Sequence, residues 1–137
     1  MSIEISTDPN RIDVSLVHGF LSNSYWAKGR PREVVERSIE HSFCFGVYEN
    51  GIQIAFARLI TDRAVFAYLA DVFVVPEHRG RGISRALLDA IFEHPDLKGI
   101  RLFRLSTRDA HGIYRKYGFA SIVNPEKSME LFIDELE

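Results

Sequence analysis

The spacing of apolar residues changes period twice along the chain. Val14, Val17 and Leu21 recur at helical intervals, with Leu16 and Phe20 alongside, and Asp13 stands where a helix N-cap belongs. IEIS at 3–6 reads as a short strand before that helix. SNSYWAKGRP, residues 22–31, is polar and turn-rich but holds Tyr25 and Trp26. Pro31 fits the first position of a second helix with Val34, Val35 and Ile39 on one face. Glu33 and Arg37 fall one turn apart on another face of it.

At residue 43 the period becomes two. FCFGVY (43–48), Asn50-Gly51 and IQIAFARLI (52–60) read as a hairpin with a tight turn. VFAYLADVFVV (65–75) is apolar on both faces, which predicts a central strand covered on both sides and ended by Pro76. Helical spacing returns at 83–92, with Ile83, Leu87, Ala90 and Ile91 inward and Arg85 and Asp89 paired outside. After a loop at 94–99, IRLFRLS (100–106) reads as the next strand. A short helix over 109–118 closes at Gly118, and FASIV (119–123) and MELFI (129–133) read as two last strands. The order predicts an α/β (α+β) fold, a mixed sheet of six to seven strands with helices on both faces. The unit from 65 to 106 is expected to be a right-handed parallel crossover.

Composition narrows the function classes. A chain of 137 residues with no internal repeat or linker reads as a single domain, 1–137. Its net charge of −2 argues against broad nucleic-acid binding. The single cysteine, Cys44, excludes an internal disulfide, and its apolar neighbours predict a buried, inert thiol. No histidine pair has metal-ligand spacing, so no metal is expected. The absence of a long apolar run and of a signal-like N-terminus predicts a cytoplasmic protein with no membrane segment.

One segment carries chemistry. HRGRGIS, 78–84, joins the end of the apolar strand to the start of an amphipathic helix. Gly80 and Gly82 allow a tight turn and close approach of a ligand, Arg79 and Arg81 bring positive charge, and the helix start adds unpaired N–H groups. Such a place suits a pyrophosphate. No Walker GxxxxGK is present, and the third glycine of a dinucleotide GxGxxG is replaced by Arg85.

The run VVPEHRGRGIS resembles motif A of the GNAT N-acetyltransferase superfamily, whose pattern is Arg or Gln, two residues, Gly, one residue, then Gly or Ala. Arg79, Gly82 and Ser84 occupy the three positions, and Ser84 departs from the pattern while remaining small. DAHGIYRKYGF (109–119) is similar to the family's closing segment, and the order of elements matches over almost the whole chain. The resemblance implies a splayed sheet and acetyl-CoA as cosubstrate. Backbone amides from Arg79 through Gly80, Arg81, Gly82, Ile83 and Ser84 would hold the pyrophosphate. Those of Phe73, Val74 and Val75 would bond the pantetheine arm, and Arg81 and Arg85 could reach the outer phosphates.

It also implies roles for side chains. Tyr114 matches the family tyrosine that protonates the departing thiolate, and Asp109 falls where the family often has Asn beside the pantetheine. The residue pattern favours Asp109 as the N-cap of its own helix. Asp71 interrupts an apolar strand, which makes it either the general base or the ion-pair partner of a cation such as Arg58. Tyr68 and His111 are alternatives for the base. Tyr25 and Trp26, with Tyr68, are the candidates for the acceptor site. The expected activity is direct transfer of an acetyl group to a primary amine of a small molecule or peptide, by a monomer or homodimer. The alternatives are a catalytically inactive CoA-binding sensor or interaction module and a nucleotide-phosphate binder.

Overall fold

A computed structural model describes residues 2–133. The chain divides into two compact units, one running to Ser106 and one from Thr107 onward.

The first unit is built on a five-stranded sheet in the order β1-β2-β3-β4-β5. The strands are β1 (Glu4–Ser6), β2 (Phe43–Glu49), β3 (Ile52–Thr61), β4 (Phe66–Val74) and β5 (Leu102–Leu105). β1 through β4 are antiparallel neighbours, and β4 pairs with β5 in parallel. The hairpin between β2 and β3 turns at Asn50 and Gly51, both with positive φ (53° and 79°), the geometry a two-residue hairpin favours.

Before the hairpin lie α1 (Val14–Ser22) and α2 (Arg32–Glu40). Asp13 caps α1 by accepting from the Leu16 N–H at 3.1 Å. Pro31 stands just outside α2, as its N-cap residue. On α2, Val35 and Ile39 are buried and Val34 is exposed, and the one-turn ion pair is Arg32–Glu36 at 3.2 Å. The one-turn pair thus lies one position earlier than the expected Glu33–Arg37 pair, and the helix itself begins at Arg32, one residue after Pro31.

Buried residues of α1 and α2 (Val17, Leu21, Val35, Ile39) pack with Cys44, Phe56 and Phe73 on one face of the sheet. Register alternation puts Phe45, Ala57 and Leu59 on the opposite face. There they meet α3 (Ile83–Glu93), whose buried stripe is Ile83, Leu87, Leu88 and Ile91, with Leu88 taking the inward place expected of Ala90.

In the second unit, α4 (His111–Arg115) is a short helix whose end folds over Gly118 (φ 97°), with the Phe119 N–H donating to the Tyr114 carbonyl at 3.2 Å. FASIV and MELFI are not strands. Both have apolar residues, but no described strand pairs with them, and Val123, Met129, Leu131, Phe132 and Ile133 stand exposed. The sheet therefore has five strands among the described residues rather than six or seven, with the mixed architecture and the helices as expected.

Candidate active site

Two features of β4 shape the site. The first is a bulge. Phe56 opposes Phe73 and Arg58 opposes Ala70, so Ala57 faces two residues, Asp71 and Val72. Asp71 takes the left-handed conformation there (φ 55°), which aspartate tolerates better than most residues. The second is that β4 and β5 pair only from Phe66–Leu69 against Leu102–Leu105. Beyond that point β4 continues to Val74 with no described strand on that edge.

This edge decides which amides a ligand can use. The Val75 N–H donates to the Ile54 carbonyl at 2.9 Å and is not available to a pantetheine arm. Phe73 sits two residues away, so the alternation of an antiparallel ladder turns its amide toward β3 as well. Val74 faces the other way. Of the three amides expected to line the arm, only that of Val74 points to the open edge. Its carbonyl there accepts from Arg79 Nε at 3.0 Å.

Past Val74, a 3-10 turn (Pro76–His78) leads into the glycine loop. Gly80 and Gly82 have φ of 77° and 79°, values that strongly favour glycine, and a Cβ added to either would meet no atom within 4 Å. The open side of the turn thus lies where a side chain would stand. Gly82 is the N-cap of α3 and offers no side-chain cap, so the first amides of the helix at Ile83 and Ser84 have no partner from that quarter. The loop fits a phosphate-bearing group. Arg81 does not extend toward it as expected. Its guanidinium is held by both carboxylate oxygens of Glu49 at the end of β2 and by His78 Nδ1 at 2.6 Å. The hydrogen bond from Arg81 keeps the Glu49 carboxyl below its ordinary range. Sequence reasoning missed Glu49 and His78, whose only signal is the need of a loop arginine for an anchor.

Asp71 lies at the other end of the site, 6% exposed. Its Oδ1 accepts from Trp26 Nε1 at 2.8 Å, and its Oδ2 accepts from Arg58 Nε at 2.8 Å and Arg30 Nη1 at 3.0 Å. Burial pushes this carboxyl up, but Arg58, the Trp26 hydrogen bond and Arg30 outweigh it, and Asp71 sits below the ordinary aspartate value. The ion pair with Arg58, one of the two expected readings, is present. Arg30 and Trp26 are partners that sequence spacing did not reveal.

Aromatic side chains continue from this point. Phe20 of α1 stacks on Phe73 with ring centroids 4.0 Å apart, Trp26 tilts against Phe20, and Tyr25 stands edge-on to Trp26. Tyr25 and Trp26 are 49% and 41% exposed. Tyr68 lies on the same sheet face as Arg58 and Phe73 and donates to Ser106 Oγ at 2.9 Å. Cys44 is buried, and its thiol is pushed up to about 12, chiefly by desolvation. Among the described residues no cluster could hold a metal ion, and no helix is long and apolar enough to cross a membrane.

In the second unit, Tyr114 lies on α4 with its ring edge-on to Phe119. Asp109 does not cap this helix. The cap position is Ala110, whose N–H is taken by Thr107 Oγ1 at 3.1 Å, because the helix starts two residues later than expected.

The candidate site thus combines a mixed sheet opened at one strand edge with a glycine turn that feeds a helix. The acetyltransferase (GNAT) domain family matches residues 40–121, and the chain belongs to this family. A candidate acetyltransferase of the same family from Xanthomonas campestris pv. campestris is 51% identical and superposes with a TM-score of 0.94, covering 97% of this chain and 94% of that one. A candidate acetyltransferase from Gibberella zeae is 32% identical over a region that covers 65% of this chain and 62% of its own length. A Clostridium acetobutylicum structure that carries acetyl-CoA shares the fold at 18% identity, with a TM-score of 0.66 and coverage of 96% and 95%.

The Asp71 cluster makes a stability prediction with a defined sign. Because the folded carboxyl lies below its ordinary value of about 3.9, its contribution is complete above that value and is lost as pH falls through the folded value. Asp71→Asn should cost about 3 kcal/mol at pH 7, since two guanidiniums lose their counter-charge. Urea unfolding across a pH series should show the gap to wild type closing below about pH 4. Equal stability at pH 7, or a gap that does not change with pH, contradicts this assignment.

Proposed function

We propose that the chain is a single N-acetyltransferase domain, 1–137, that moves an acetyl group from acetyl-CoA to a primary amine in a ternary complex. The observation that carries the reading is the pairing of the uncapped glycine turn at 80–82 with the open Val74 edge of β4. Family membership over residues 40–121 supports it.

Acetyl-CoA, when bound, supplies the activated acyl group as a thioester. The amides of Gly80 through Ser84 would hold its pyrophosphate, and α3 adds the positive end of its dipole. The Val74 N–H is placed to meet the arm or to donate to the thioester oxygen as charge develops there. Tyr114 is the proposed acid for the departing thiolate, on the strength of the YRKYGF match; a phenol and a thiol lie close enough in ordinary pKa for such a transfer. Asp71 serves better as an anchor than as a base, because three donors already occupy its two oxygens. The acceptor then loses its proton to solvent. A ping-pong route through Cys44 is disfavoured by burial and by a thiol that stays protonated.

A chain that binds CoA without turnover is the reading to test against. Thiol release from acetyl-CoA with an amine panel separates the two. Tyr114→Phe should lower kcat about 100-fold while CoA affinity by calorimetry is kept; normal turnover in that variant removes the acid role. Gly82→Val, which forces a side chain into the open face of the turn at φ 79°, should weaken CoA binding at least about 100-fold, a loss of some 2.7 kcal/mol. Unchanged affinity in a folded variant contradicts the loop assignment.

A further inference from the structure

The cluster on Asp71 is unbalanced. Two guanidiniums, Arg30 and Arg58, share one carboxylate, and both bonds fall on the same oxygen. The other contact of Arg58 is the neutral hydroxyl of Ser42, at 3.1 Å. Cys44, directly across the sheet from Arg58, adds no negative charge because its thiol stays protonated. The nearby Arg32 has its own partner in Glu36. Among the described residues, one positive charge is therefore left over in a half-buried place.

The two arginines are not equivalent. The Arg58 side chain is 11% exposed and that of Arg30 is 23% exposed, so the accessible part of the surplus charge belongs to Arg30. A guanidinium has five N–H donors in a planar fork, and Arg30 uses Nη1 on Asp71. Trp26, four residues earlier, is fixed on the same carboxylate through its indole N–H, with its ring and that of Tyr25 exposed beside it. A cation and an aromatic shelf thus share one anchor on the β4 bulge, in the same strand that carries Val74.

We propose that the acceptor is an amine that also carries a carboxylate and an apolar or aromatic body, as an amino acid does. Arg30 holds the carboxylate through a charge-assisted fork, and Trp26 and Tyr25 hold the body. Arg30 is then the specificity-determining residue, and Asp71 and Arg58 are positioning residues that act through it. This inference rests on the acyltransferase reading for its meaning, but its test does not depend on turnover.

Trp26 is the chain's one tryptophan, so intrinsic fluorescence reports on the shelf directly. The test titrates the full chain, in the presence of CoA, with amino acids and their decarboxylated counterparts, such as L-phenylalanine against 2-phenylethylamine and L-leucine against 3-methylbutylamine. The carboxylated member of a pair should bind at least about tenfold more tightly, the value of one charge-assisted hydrogen bond. Arg30→Gln should erase the difference by weakening the carboxylated member, with no loss of affinity for the decarboxylated amine. Equal binding of both members, preference for the decarboxylated one, or no response from either in wild-type protein overturns the proposal, and these outcomes need no variant to fold. Thiol release with the same pairs should follow the same ranking. Carboxylate-selective binding without any thiol release would sink the transferase reading and leave the site standing.

Discussion

The buried carboxylate of Asp71 is the constraint on which the site depends. A carboxylate in an apolar strand is tolerable only when fully partnered, and its three partners come from two separate segments: Trp26 and Arg30 from the loop after α1, and Arg58 from β3. Satisfying it therefore fixes tertiary structure. The loop at 23–31 is tied to the sheet, the β4 bulge is held in its left-handed turn, and the stacked Phe20 and Phe73 are covered from one side. Lone-partner removal is costly at such a place, whereas replacement of the whole cluster by apolar residues need not be.

The bulge and the opening of the sheet are two consequences of one strand geometry. β4 follows β5 for four residue pairs and then runs on along β3 alone, so its outer edge presents Val74 without a partner strand. The chain continues at once into a turn whose left-handed backbone favours glycine and then into α3. An arm bound along the edge and a pyrophosphate bound at the helix start are thus demands on adjacent residues of one connection. Arg81 stiffens that connection through Glu49 of β2 instead of reaching outward.

Much of this was legible from residue patterns. Periods of two and 3.6 located four strands of the antiparallel part and the three main helices, and Asn50-Gly51 located the hairpin. The glycine turn was legible because glycine at positive φ leaves a mark in sequence. The partner of Asp71 on the neighbouring strand was legible too, since hairpin register brings Arg58 close. Arg30 was not, because a loop arginine 41 positions away carries no periodic signal for a tertiary contact. The amide directions at Phe73, Val74 and Val75 were hidden for a different reason. They depend on the ladder phase, which alternates residue by residue and leaves no trace in side-chain type. FASIV and MELFI show the limit of local pattern: strand-like composition does not make a strand where no described neighbour supplies hydrogen bonds.

The central claim is that the cosubstrate arm lies on the Val74 edge of β4. Amide hydrogen exchange, resolved by residue, tests it most directly. In the free protein Val75 should exchange slowly, held by Ile54, and Val74 quickly. Saturating acetyl-CoA should slow Val74 and the amides of Gly80 through Ser84 and leave Val75 nearly as it was. Val74 exchange that is indifferent to acetyl-CoA, with protection appearing on another part of the sheet, would contradict the account.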